Sequence, residues 1–271
     1  MYITNRPEMA KLAEEAGVDR IWVDLEYKGK EERQAGMNTV KSKHTIEDVK
    51  TIRGVVGKSK LMVRVNPLDD ESEDEINKVI EAGADYIMLP MFKTKAEVER
   101  FISLVGGRAK TMLLLETKEA KECLESYVGV PGIDEIHIGL NDLHLAHKMT
   151  FMFELVADGT VDRLASVLKA NNIRFGFGGF ARIGHGILPA EMILTHHYAL
   201  GSEMAILSRA FCDANSKENI EEIRADFIEG VRNIRLKEKE ILTYDKAQFD
   251  ANFEGIKEKV AQIVESIRSK Q

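Results

Sequence analysis

Short uninterrupted runs of apolar residues recur along the chain, each framed by glycine, proline or charge. Runs of this length suit strands buried on both faces of a parallel sheet and are too short for an isolated core helix. The pattern predicts strands at Tyr2–Thr4, Arg20–Leu25, Lys60–Val65, Asp85–Leu89, Thr111–Glu116, Asp134–Gly139, Ile173–Gly178 and Met204–Ser208. Between most of them the apolar positions change to helical spacing. From Pro7 to Ala16, for example, proline stands at a first helical position and Gly17 provides the stop. The phrases Glu-Ala-Gly-Val-Asp at 15–19 and Glu-Ala-Gly-Ala-Asp at 81–85 are near copies, each ending a helix on glycine and leading directly into a strand. Strands and helices in this alternation favour a closed (β/α)8 TIM barrel over a doubly wound open sheet, and 271 residues is an ordinary length for one.

Beyond Asp213 the strands stop and the chain becomes charged and helical. The reading is therefore a barrel over residues 1–213 and a helical extension over 214–271. The two form one domain, because no linker rich in proline, glycine or serine separates them. The last helix carries Phe249, Phe253, Ile256, Val260, Ile263 and Ile267, whose spacing makes a narrow apolar seam. The seam needs a cover. The helix from Ile220 to Ile234 of the same chain is one candidate, and exchange with a second copy is the other. The second makes the extension a candidate oligomerisation element and the protein a homo-oligomer.

Composition narrows the class. With 44% hydrophobic residues the chain can fill a large core, and a net charge of −7 argues against general nucleic-acid binding. The two cysteines, Cys123 and Cys212, suit a reducing cytoplasm and form neither a disulfide framework nor a zinc site. No apolar stretch approaches the roughly 18 residues of a membrane span, and no signal-peptide pattern opens the sequence. The expectation is a soluble cytoplasmic protein that handles small molecules.

Candidate chemistry lies at the ends of the apolar runs. Glu116 closes the run from Lys110, and Asp142 follows Ile136-His-Ile-Gly-Leu-Asn. A carboxylate at the end of a buried strand is costly unless it is hydrogen-bonded, paired or holding a cation. In parallel α/β proteins that end is also where ligands bind. The two acids suggest half of a metal site. Asp24 and Glu26 occupy alternate positions and point the same way. Arg64, flanked by valines, must find an anion: either Asp24 or Glu26 in a structural ion pair, or a substrate carboxylate or carbonyl.

Taken in order, Val23-Asp24-Leu25-Glu26, Val63-Arg64-Val65-Asn66-Pro67, Leu89-Pro90, Leu115-Glu116-Thr117 and Ile138-Gly139-Leu140-Asn141-Asp142-Leu143 resemble the HpcH/HpaI aldolase and citrate lyase β-subunit family, over about residues 2 to 210. The resemblance implies a divalent-metal-dependent carbon–carbon lyase on a (β/α)8 barrel. Its substrates would be 2-oxo acids such as pyruvate or oxaloacetate, or malyl- and citryl-type thioesters. It implies that Glu116 and Asp142 hold Mg²⁺ or Mn²⁺, that Arg64 polarises the oxygen that becomes an enolate, and that Glu26 or Asp24 supports the site from behind. The residue types suit that chemistry, since hard oxygen ligands favour Mg²⁺ or Mn²⁺ and an enolate needs a cation and an arginine around its oxygen. Main-chain N–H groups at the helix start following Asp142 are candidates for a substrate carboxylate, with Asn141 and Asp142 themselves as candidate substrate contacts, and Gly178 at the end of strand seven is another.

The sequence departs from the family pattern after Glu26. Tyr27 stands where aldolase-type members have histidine and citrate-lyase types aspartate, and a tyrosine with a pKa near 10 is a poor base at neutral pH. His44, in the loop from Lys28 to Thr45, is the candidate replacement. Its competing reading is a residue just ahead of a helix capped by Thr45 and Asp48. The glycine-rich run 175–180 reads first as close backbone packing, and His144 with His147 as a solvated helix face. No lysine ends a strand as a Schiff-base aldolase requires. Two rival functions stand beside the aldolase: a thioester lyase of malyl- or citryl-CoA type, and a barrel without catalysis that binds a metal or ligand within a complex.

Overall fold

A computed structural model describes residues 1–29, 44–212 and 220–270. Eight parallel strands follow one another in sequence order around the sheet: β1 (Tyr2–Ile3), β2 (Arg20–Asp24), β3 (Lys60–Arg64), β4 (Tyr86–Leu89), β5 (Lys110–Leu115), β6 (Glu135–Ile138), β7 (Arg174–Phe180) and β8 (Met204–Leu207). Main-chain bonds from Met1 N to Ala205 O and from Leu207 N to Met1 O bring the last strand against the first. The result is a (β/α)8 barrel, with every expected strand present within a residue or two. The expected domain boundary at 213 lies outside the described residues.

Helices alternate with the strands: α1 (Pro7–Glu15), α2 (Ile46–Arg53), α3 (Ser72–Glu81), α4 (Lys95–Val105), α5 (Lys118–Glu122), α6 (Leu124–Tyr127), α7 (Leu140–Ala146), α8 (Glu154–Ala157), α9 (Thr160–Ala170) and α10 (Ala190–Leu200). The long pair α11 (Glu221–Ile241) and α12 (Lys246–Arg268) completes the chain. Their starts obey local chemistry. Pro7 opens α1, and Thr45–Asp48, Thr94–Glu97 and Asp245–Gln248 form reciprocal capping boxes on α2, α4 and α12.

The alternation of strand residues divides two cores. Outward residues such as Ile21, Val23, Leu61, Val63, Ile87, Leu113 and Ile136 are fully buried beneath the helices. The inward residues Trp22, Met62, Met88, Met112 and Leu114, with Met204 and Ile206 beside them, fill the barrel itself. Methionine suits that irregular interior because its unbranched, polarisable chain adapts to gaps. At the amino end Glu135 is held between Arg20 and Arg174, the latter at 2.8 Å, and Arg20 lies 4.2 Å over the Tyr86 ring. This end is closed by paired charge.

The seam of α12 has a cover within the chain, although not the one expected. Ile256, Val260, Ile263 and Val264 are buried where α12 packs on α10 and α8, and it is α11 that lies against α1 and α10. Asn252 Nδ2 donates to Met192 O at 3.0 Å, Phe253 stacks on His196, and Arg268 Nε reaches Thr150 Oγ1 at 3.1 Å. The reason is geometric: α10 offers a strongly apolar surface, whereas α11 spends its own apolar face on α1 and α10. Among the described residues no helix is long and apolar enough to cross a membrane.

Candidate active site

The carboxyl ends of β2, β3 and β5 and the start of α7 gather one arginine and four acids. Arg64, at the last position of β3, pairs in register with Asp24 of β2. Its Nε and Nη2 donate to the two Asp24 oxygens at 2.8 Å each, a bidentate fork, while Nη1 lies 3.2 Å from Glu26 Oε2. Beneath it the guanidinium lies 5.0 Å from the Trp22 ring centroid. Asp24 and Glu26 are both 2% exposed. Burial works against the charge on Arg64, but Asp24 and Glu26 outweigh it and hold its pKa above the usual arginine value. The ion pair read from the sequence as one of two possibilities is present.

Glu116 follows the last residue of β5 and is 4% exposed. Among the described residues, the Met91 main-chain N–H is the one hydrogen-bond donor that reaches it, at 3.1 Å from Oε1. Gly139, just ahead of α7, leaves room on its other side: a Cβ there would sit 2.8 Å from Glu116 Cβ and 3.1 Å from Oε2. Asp142, in the first turn of α7, is half-buried. Burial first, and then the Asp142 charge, push the Glu116 carboxyl well above the ordinary carboxylate range, with Arg64 opposing. Glu116 is thus a buried acid raised by a second acid, and among the described residues neither stands in a salt bridge. The donor set fits Mg²⁺ or Mn²⁺, because two hard carboxylates leave positions for water and substrate oxygens. Among the described residues no third histidine, cysteine, aspartate or glutamate joins them to make a larger ligand cluster.

The structure brings His44 to the same end of β2, where its Nδ1 lies 3.0 Å from the Asp24 main-chain N–H. That amide can only donate, so Nδ1 accepts and the neutral ring carries its proton on Nε2. The lone pair a base would use is thereby engaged. His44 also stands directly before the Thr45–Asp48 capping box, as its competing reading had it. Tyr27 turns outward, 63% exposed, while its main-chain N–H and that of Lys28 donate to Asn66 Oδ1 at 3.0 Å. Asn66 in turn donates to Glu75 of α3 through Nδ2 at 2.6 Å and N at 3.0 Å, which straps the end of β2 to β3.

The remaining candidates have contacts of their own. Gly178 is buried with φ +49, its carbonyl takes the His137 Nε2–H at 3.0 Å, and a Cβ on it would meet Leu140 Cδ1 at 2.7 Å. Gly176 and Gly179 lie against the backbone of β8 in the same way, so the glycine-rich run is a packing device. Asn141 is exposed at the start of α7. His144 turns back to Leu140 O at 3.2 Å. Sequence reasoning passed over Met91, Gly139 and Trp22. Trp22 shares the face of Asp24 and Glu26 by strand alternation and was legible on that ground. Met91 has no sequence signal, because its role rests on the main chain. A cavity of about 600 Å³ bordered by β8, α10 and α11 is lined by none of Asp24, Glu26, Arg64, Glu116 and Asp142, and carries Asp19, Arg174, Glu203 and Arg235 in its wall.

Fold and site together define a (β/α)8 protein with an acid–arginine cluster at the carboxyl mouth, the class that contains many enzymes of small carbonyl compounds. The chain belongs to the HpcH/HpaI aldolase/citrate lyase family, whose model matches residues 2–154. It is similar in structure to an HpcH/HpaI aldolase from Desulfitobacterium hafniense DCB-2, with 13% identity over 82% of this chain and 91% of that one and a TM-score of 0.59. A family protein from Burkholderia cenocepacia J2315 matches at 13% identity over 83% and 94% of the two chains, with a TM-score of 0.62. The citrate synthase SbnG matches at 15% identity over 83% and 93%, with a TM-score of 0.59. At these identities the likeness is one of fold. No curated protein sequence matches the chain. Family membership supports an enzyme of the lyase or aldolase type.

Proposed function

We propose that the protein is a divalent-cation-dependent carbon–carbon lyase of the aldolase type, cleaving or forming a 2-oxo acid such as pyruvate or oxaloacetate. The observation that carries this reading is Glu116: a buried carboxyl raised by its burial and by Asp142, facing Arg64 at the barrel mouth. Glu116 and Asp142 would hold Mg²⁺ or Mn²⁺. Bound there, the cation would supply electrophilic polarisation of a 2-oxo acid's carbonyl.

The chain's own residues supply the rest. Arg64 keeps a full positive charge at the mouth and stabilises negative charge that develops on the substrate oxygen. Asp24 and Glu26 fix its plane, so little reorganisation is needed as that charge forms. The first turn of α7 around Asn141 and Asp142 offers main-chain N–H groups to a substrate carboxylate. His44 stands at the end of β2 with Nδ1 on the Asp24 main-chain N–H. To accept a proton it must release the Asp24 amide, so the base of the reaction is more simply a water.

The test is retro-aldol turnover of a panel of 4-hydroxy-2-oxo acids with Mg²⁺ and Mn²⁺ against an EDTA control. The reading predicts pyruvate release that EDTA abolishes and added metal restores. Cleavage confined to CoA thioesters would contradict it, and so would release that EDTA does not touch.

A further inference from the structure

Glu116 is held by a residue whose backbone is in a costly conformation. Met91, directly after Pro90 at the end of β4, has φ +55. L-residues other than glycine avoid this left-handed region, because Cβ approaches the neighbouring carbonyl. Such residues persist where the surroundings over-determine them, and they concentrate at functional sites. Among the described residues only Lys148 and Asn172 share the feature, each just past the end of a helix, where left-handed residues are routine. Met91 ends no helix. It follows a strand, and its N–H points at Glu116 Oε1 at 3.1 Å.

Main chain therefore flanks Glu116 on two sides. Oε1 is fixed by the Met91 amide, and the other face lies against Gly139, where any Cβ would collide with it. A carboxylate gripped at one oxygen keeps the second directed along the Gly139 side, toward the helix that carries Asp142. We infer that Met91 is a positioning residue: its strained main chain aims an N–H that orients Glu116 for cation binding. This rests on the reading of Glu116 as a metal ligand. Glycine at 91 accepts positive φ without that cost and still carries the N–H, so it should relieve the strain and leave the contact to Glu116 in place. Only removal of the N–H itself takes the contact away.

The test compares Met91→Gly with Met91→Ala, which has the same steric objection to positive φ and serves as the reference for the lost side chain. Calorimetric or EPR titration with Mn²⁺ is paired with the melting temperature of the metal-free protein. Met91→Gly is expected to melt above Met91→Ala by a few degrees and to bind Mn²⁺ at least as tightly, because it keeps the N–H without the strain. Replacing the residue-91 amide by an ester removes the donor alone and should weaken Mn²⁺ binding about tenfold. An ester variant that binds Mn²⁺ like the parent overturns the inference, as does a Met91→Gly variant that melts no higher than Met91→Ala. A Glu116→Gln variant titrated alongside separates the failures: if it binds Mn²⁺ unchanged, the ligand reading itself falls and takes this inference with it.

Discussion

Arg64 does two things at once, and they make different demands. It neutralises Asp24 and Glu26, which are buried acids, and it presents a positive charge to the mouth. Removing it leaves two buried carboxylates uncompensated, a change that typically costs about 3–5 kcal/mol. Arg64→Ala should therefore lose stability by roughly that amount in urea unfolding, as well as activity. Arg64→Lys is the sharper probe. Lysine retains the charge and much of the stability but cannot form the two-pronged contact with Asp24. Turnover in Arg64→Lys should fall at least tenfold while most of the stability remains. Full activity in that variant would make the fork a structural feature only. Both roles were open in the sequence, since an arginine between valines must find an anion. Which anion it found required the register of β2 and β3.

At the scale of elements, the helix seam was legible and its cover was not. Apolar spacing identified Ile256, Val260 and Ile263 as a face, but spacing says nothing about which neighbour turns toward it. Packing on α10 and α8 within one chain predicts that Ile256→Ala destabilises by about 2–5 kcal/mol, as for other buried large-to-small changes. The melting temperature should also be independent of protein concentration. A midpoint that rises with concentration would instead point to exchange of α12 between copies. The strands, by contrast, were readable almost to the residue, because a strand buried on both faces leaves an unbroken apolar run. The site lay at their ends for the same reason, since polar residues re-enter where burial stops. What stayed hidden were contacts made by main chain. Met91 acts through its N–H and Gly139 through its missing side chain, and neither carries a pattern of its own.

The whole molecule carries a cost in acid. Burial pushes the His137 imidazole down to about 3, and burial together with His137 and His196 also holds His197 well below its ordinary value. Below pH 6.5 the unfolded chain takes up protons at these positions that the fold refuses, so stability falls with pH until the folded value is reached. His137 alone should remove about 2 kcal/mol between pH 7 and pH 5. Urea unfolding at both pH values checks this, and His137→Gln should flatten the difference. An unchanged pH slope in that variant would place the acid sensitivity elsewhere. The inward position of His137 follows from the alternation of β6. Its bond to Gly178 O depends on the close approach that the glycines of β7 permit.

Mn²⁺ titration decides whether Glu116 and Asp142 form a cation site. The parent protein should bind one Mn²⁺ per chain and melt higher when it does. Glu116→Gln and Asp142→Asn, which keep volume and remove ligand charge, should each bind at least tenfold more weakly. Metal-free Glu116→Gln should melt above the metal-free parent, because a buried acid is gone. Mn²⁺ affinity unchanged in both variants would contradict the account.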